Sequence, residues 1–189
     1  RKSAFVDGMC GSGTLLLEAA LLALRRPPGL DREFAFMRWA DYDSARYDRL
    51  LEQARSRMLD ELPAPIVGRD VDGDALARSR ANIARARLED YIVLEQGPFE
   101  EIVPPPSPGV VMVNPPYGER LDPADLEELY ERIGDTFKQA FAGYWAYVFT
   151  GNLEAAKRIG LRSAQRIELY NGPIECRLLE FEMYEGSRE

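Results

Sequence analysis

The sequence contains no histidine. That absence removes Ser-His-Asp and Cys-His nucleophile systems, imidazole general bases and the commonest zinc ligand sets, so no metal centre is expected. Its two cysteines, Cys10 and Cys176, are too few for a disulfide framework, and a reducing, cytoplasmic compartment is expected. No apolar run approaches the roughly 20 residues needed to cross a bilayer, and the first residues lack a signal-peptide pattern. No membrane partner is expected. Basic side chains are also in deficit: 24 Lys and Arg stand against 32 Asp and Glu, a net charge of -8. A domain gripping nucleic acid alone is usually basic, because phosphate contacts supply most of the affinity. This chain is expected to be a weak nucleic-acid binder by itself.

What remains is ordinary globular composition, 46% hydrophobic and 30% charged over 189 residues, enough for one domain with a real core. Strand-like and helix-like runs alternate. Residues 4–6 form a short apolar strand that breaks into a glycine-rich turn, and residues 14–24 form an almost wholly apolar helix, expected to be buried on several sides. Residues 34–42 are aromatic and irregular and carry no assignment. Apolar residues at helical spacing from Tyr47 to Met58 predict a second helix, closed by Pro63 and Pro65. Strands follow at 66–70, 92–94, 110–113 and 145–149, with helices at 74–87 and 126–141 and a proline-rich loop at 104–108. Two closing strands, 166–169 and 177–184, flank a hairpin turn at Asn171, Gly172 and Pro173. The expectation is a single α/β domain: a doubly wound, Rossmann-like, mostly parallel seven-stranded sheet with helices on both faces and a C-terminal antiparallel hairpin at its edge.

Ligands of such sheets sit at the carboxyl ends of the strands. Three sets of special residues fall there. Gly11 and Gly13, in the turn Asp7-Gly8-Met9-Cys10-Gly11-Ser12-Gly13-Thr14, let the backbone approach a ligand, and Asp7 could accept a hydrogen bond from a ligand ammonium. A dinucleotide fingerprint would need glycine at position 16, which is Leu16, and the Gly-Lys-Ser/Thr of a phosphate loop is absent. Asp70 ends the second strand, placed to accept ribose hydroxyls, with Val71 to lie against an adenine and Asp72 as a further acid or a helix cap. Asn114-Pro115-Pro116-Tyr117 closes the fourth strand. Two prolines fix the backbone and remove two donors. The Asn side-chain oxygen and a proline carbonyl can accept both hydrogens of an exocyclic amine, and Tyr117 can stack on its base.

These motifs resemble the amino-group methyltransferases that use S-adenosylmethionine. With Pro28-Gly29, Phe36, Arg38-Trp39, residues 114–121 and residues 169–176 (Leu-Tyr-Asn-Gly-Pro-Ile-Glu-Cys), the sequence is similar to the large-subunit ribosomal RNA guanine-N2 methyltransferases. The nearest likeness is to the N-terminal methyltransferase unit of the bifunctional guanine-N2/guanine-N7 enzymes. The resemblance implies S-adenosyl-L-methionine as cofactor, held by Asp7, Met9, Cys10, Gly11, Ser12, Gly13, Thr14, Asp70, Val71, Asp72 and Asn114. It implies catalysis at Asn114, Pro115, Pro116 and Tyr117, with 23S ribosomal RNA as substrate. A THUMP-type RNA-binding module is expected upstream, making this chain an excised catalytic core whose RNA grip lies mainly in other domains. Two positions depart from the family pattern: Gly8, where proline is frequent, and Pro98, near the place of an acid that accepts the adenine amine. Glu100 or the backbone near Phe99 are the substitutes at hand.

Cys10 lies in the cofactor turn and reads as a small buried residue, not as a nucleophile. Arg78, Arg80, Arg85 and Arg87 form a local basic helix, read first as solvated charge, with an RNA phosphate contact as the alternative. Two competing functions are an adenine-N6 DNA or RNA methyltransferase and a non-catalytic module binding S-adenosylmethionine or RNA.

Overall fold

The computed structural model describes residues 2–30, 32–116 and 122–184. Seven strands form one sheet: β1 (Ala4–Asp7), β2 (Ile66–Asp70), β3 (Ile92–Gln96), β4 (Gly109–Val113), β5 (Tyr144–Thr150), β6 (Gln165–Asn171) and β7 (Ile174–Glu182). Their order is β3-β2-β1-β4-β5-β7-β6. The first five run parallel, with Val6 opposite Val67 on one side and Val111 on the other. Strand order therefore reverses between β1 and β4, and a crevice opens there at the carboxyl ends.

The closing hairpin stands at the edge of the sheet as expected: β7 lies between β5 and β6, antiparallel to each, and β6 is peripheral. The burial pattern gives the reason. Cys176, Leu179 and Phe181 of β7 are buried, whereas β6 has no buried residue.

Helices α1 (Thr14–Ala23) and α3 (Gly73–Arg85) cover one face through Leu16, Ala20, Leu76 and Ile83, packed on Ile66 and Ile92. Helix α4 (Pro123–Ala140) covers the other. It opens on Asp122, whose side chain accepts the Ala124 N–H at 3.2 Å, followed by proline in the first turn. Leu126, Tyr130, Ile133 and Phe137 then recur on one stripe, over Val111, Val113, Ala146 and Val148. Helix α2 (Ser44–Arg55) has no buried residue. The irregular segment before it holds a short 3-10 turn, Ala35–Arg38, where Phe36 stacks on Phe34 at 5.4 Å and meets Tyr47 edge-on at 5.8 Å. A short helix α5 (Leu153–Ala156), capped by Asn152, follows β5 and has no forerunner in the sequence pattern.

Helix α1 departs from the expected burial on several sides. Only Leu16 and Ala20 are buried within it, and Leu22 is 53% exposed. One stripe faces the sheet, while Leu15, Ala19 and Leu22 line an open apolar groove with Phe5, Val110 and Met112.

Candidate functional site

The turn after β1 is tied to both neighbouring strands. Gly8 N–H donates to the Met112 carbonyl of β4 at 3.1 Å, and Cys10 N–H to the Arg69 carbonyl of β2 at 3.0 Å. Gly13 caps α1 with φ 81°, a conformation that L side chains rarely adopt, and a Cβ there would sit 2.3 Å from Ser79 Oγ. Gly8 is constrained by contact: a Cβ would lie 2.3 Å from the Phe99 ring.

Asp70 closes this wall. One carboxylate oxygen accepts the Gly11 N–H at 2.8 Å and the other accepts the Asp72 N–H at 3.0 Å. Each oxygen keeps lone-pair capacity for a ligand donor. Asp72 is the N-cap of α3, accepting the Asp74 N–H at 2.8 Å, and it pairs with Arg78 at 3.6 Å. Asp7 lies beneath the turn, 1% exposed, and accepts the Met9 N–H at 3.3 Å. Burial pushes its carboxyl up to about 7; the Met9 hydrogen bond opposes this and the charge of Asp70 adds to it.

The crevice encloses about 770 Å³. Gly8, Met9, Gly11, Asp70, Val71 and Asp72 line one wall, and Asn114 and Pro116 another. Val71 is 64% exposed there. Pro115 is buried; Asn114 and Pro116 are exposed. The Asn114 side chain makes no hydrogen bond to the described residues, and neither does the Pro115 carbonyl. Tyr117 lies outside the described residues. Cys10 packs in the core beside Leu16 and Ala20, its thiol pushed up to about 12, first by burial and then by Asp7 and Asp70. Among the turn residues named from sequence, Ser12, Gly13 and Thr14 shape α1 without lining the crevice.

Several site residues were invisible to motif reading. Arg69, the penultimate residue of β2, is buried and its Nε donates to the Pro98 carbonyl at 2.8 Å, while Nη1 pairs with Glu95 at 2.8 Å. It fixes the loop after β3. A lone cation inside an apolar strand was the available signal. From α4, Asp125, Glu128, Leu129 and Arg132 form the far wall. Arg132 Nε donates to Glu100 Oε1 at 2.6 Å and Nη1 to Glu128 at 2.7 Å. Glu100 thus lines the crevice beside Pro98, one oxygen held and the other without a partner among the described residues. No group of three or more metal-ligating side chains occurs among the described residues.

The RMKL-like methyltransferase domain family matches residues 1–180. The chain belongs to that family. This RMKL-like domain is 42% identical over 194 aligned residues to the ribosomal RNA large subunit methyltransferase K/L of Syntrophotalea carbinolica, covering 98% of this chain and 27% of that protein. Among solved structures it superposes on SMU.472, complexed with SAH, with a TM-score of 0.91 at 31% identity, covering 98% of this chain and 49% of that one. A Listeria monocytogenes protein named as a predicted N6-adenine-specific DNA methylase gives 0.82 at 29% identity, covering 98% and 47%. The RMKL-like domain thus spans about a quarter to a half of the length of these proteins.

Proposed function

We propose that this domain transfers a methyl group from S-adenosylmethionine to the exocyclic N2 amine of a guanine in large-subunit ribosomal RNA, with other parts of the parent protein gripping the RNA in the cytoplasm. The observation that carries the reading is Asn114: exposed in the crevice, without a hydrogen-bond partner among the described residues, and followed by two residues that have no N–H.

The opposite wall fits the cofactor by its chemistry. Gly11 has nothing within 4 Å of where a Cβ would project, leaving an open cradle beside the Asp70 carboxylate. Val71 offers an exposed apolar face to a flat base. Asp7, buried with its carboxyl pushed up to about 7, has no cationic partner among the described residues, and a ligand ammonium would provide one. S-adenosylmethionine supplies, when bound, a methyl already activated on a sulfonium. Asn114 Oδ1 and the Pro115 carbonyl accept the two amine hydrogens, which orients the nitrogen lone pair and stabilises positive charge developing on nitrogen. The surplus proton leaves to water, so the missing histidine is no obstacle.

The test is methyl transfer from radiolabelled S-adenosylmethionine to unmodified large-subunit ribosomal RNA, followed by nucleoside analysis. N2-methylguanosine is expected. N6-methyladenosine would favour the adenine-N6 reading, and saturable cofactor binding with no product from any RNA would favour a non-catalytic module.

A further inference from the structure

At the opposite end of α1 and α3 from the crevice, five arginines converge. Arg26, Arg32, Arg55, Arg85 and Arg87 line a cavity of about 430 Å³ whose other lining residues are Leu21, Pro27, Pro28, Gly29, Leu30 and Ala86. No carboxylate of the described residues lines it, in a chain with 32 acids and 24 bases. None of the five forms an ion pair among the described residues, although ten such pairs are made by other side chains.

Helix dipoles account for part of this. Arg55 and Arg85 are the last residues of α2 and α3, where cations are favoured. Capping of the last α3 carbonyls accounts for Arg26, but neither effect accounts for Arg32, which comes from the loop after α1, nor for Arg87, which lies beyond α3. Two of these guanidinium groups are held in place. Arg26 Nη1 donates to the Ala86 carbonyl at 3.0 Å, and Arg32 lies over the Phe34 ring at 5.7 Å from its centroid. A cavity lined by guanidinium groups, two of them held in place and none ion-paired among the described residues, suits phosphate oxygens, which they bind in a bidentate, planar mode.

The cavity also lies along a track to the reaction centre. Arg78 lines the crevice and Arg85 lines the arginine cavity. Seven residues separate them, two helical turns, so they share a face of α3 about 10 Å apart along its axis. A backbone leaving the crevice along α3 would reach the cavity within a few nucleotides at roughly 3.4 Å of rise each.

We propose that this cavity binds the phosphodiester backbone of the substrate RNA, anchoring the strand that leads away from the methylated base; the proposal rests on the RNA reading above. The net charge of -8 conceals a local cationic site built by three helix ends and a loop. Phosphate contact thus becomes the reading for Arg85 and Arg87.

The experiment is fluorescence anisotropy of the whole chain with a fluorescein-labelled RNA stem–loop, titrated at several salt concentrations. The triple variant Arg55→Gln/Arg85→Gln/Arg87→Gln is expected to lower the slope of log K against log salt by about 2, three contacts at roughly 0.7 each. Arg32→Gln alone, in the loop, is expected to lower it by about 0.7. SAH affinity should stay unchanged in both, and the thermal midpoint should fall only slightly in the triple variant, which loses two helix-terminal cations. An unchanged slope, or no measurable RNA binding by the unsubstituted chain, overturns the proposal. Displacement of the RNA by poly-L-glutamate as readily as by unlabelled RNA overturns it too, in favour of an acidic protein partner. Failure of the methylation reading is separate: it appears as absent or different product nucleosides, whatever the slope.

Discussion

The two walls of the crevice are prepared in opposite ways. On the β1–β2 wall the polar groups are spent on one another: Asp70 takes two backbone N–H groups, Asp7 a third, and the turn donates to β2 and β4. On the β4 wall the acceptors have no partner among the described residues, because prolines rigidify the backbone without using hydrogen bonds. One wall is rigid through its satisfied polar groups and the other through covalent constraint. The first suits a cofactor that must be gripped in one pose. The second suits a substrate amine, which needs acceptors with nothing else to do.

Substitutions should separate the walls. The largest effect is expected from Asn114→Ala, which removes a transition-state acceptor: transfer should fall by about 10²–10³ or more, with SAH affinity by calorimetry unchanged to within a few fold. Asp70→Ala should act the other way round. Loss of two charge-assisted hydrogen bonds frees the Gly11 turn, and cofactor affinity is expected to drop by about 100-fold, roughly 3 kcal/mol. Equal loss of binding in both variants would mean that the walls are not independent.

A smaller effect tests the packing beneath the turn. Gly8→Ala places a methyl against the Phe99 ring, which is buried among Phe137 and Phe141. Overpacking of this kind costs about 1–3 kcal/mol, read as a lowered thermal midpoint. It also gives the Gly8 departure a context: in this chain position 8 and the loop at Pro98 and Phe99 are coupled.

The last effect is confined to one side of the pH range. Asp7 is raised from 3.8 to about 7, so the folded chain holds its proton more tightly than the unfolded one. The stability it contributes is full below about pH 4 and is lost as pH rises through 7. Asp7→Asn should therefore leave the thermal midpoint unchanged at pH 4 and raise it at pH 8, while weakening SAH binding. A midpoint that falls equally at both pH values would show that Asp7 is an ordinary buried structural acid.

Much of this was legible along the chain. Residues 66–70 read as a strand and are one, and the apolar stripe beginning at Leu126 marks α4, because period and caps are local properties. The glycine turn, Asp70 and Asn114 could be ordered along one sheet edge, since a parallel sheet brings every strand's carboxyl end to the same side. Helix α1 misled, because an apolar composition does not say how many of its sides find a neighbour.

By itself the sequence determined the alternation of strands and helices, the absence of imidazole chemistry, and a rigid pair of acceptors after β4. These follow from residue type and spacing within a few positions. Only the tertiary structure decided that β7 enters between β5 and β6, that Arg69 holds the Pro98 carbonyl, and that arginines 26, 32, 55, 85 and 87 meet in one cavity. Those contacts join residues up to 61 positions apart. Local propensity carries no information across such separations; the packing of helix ends around a shared sheet does.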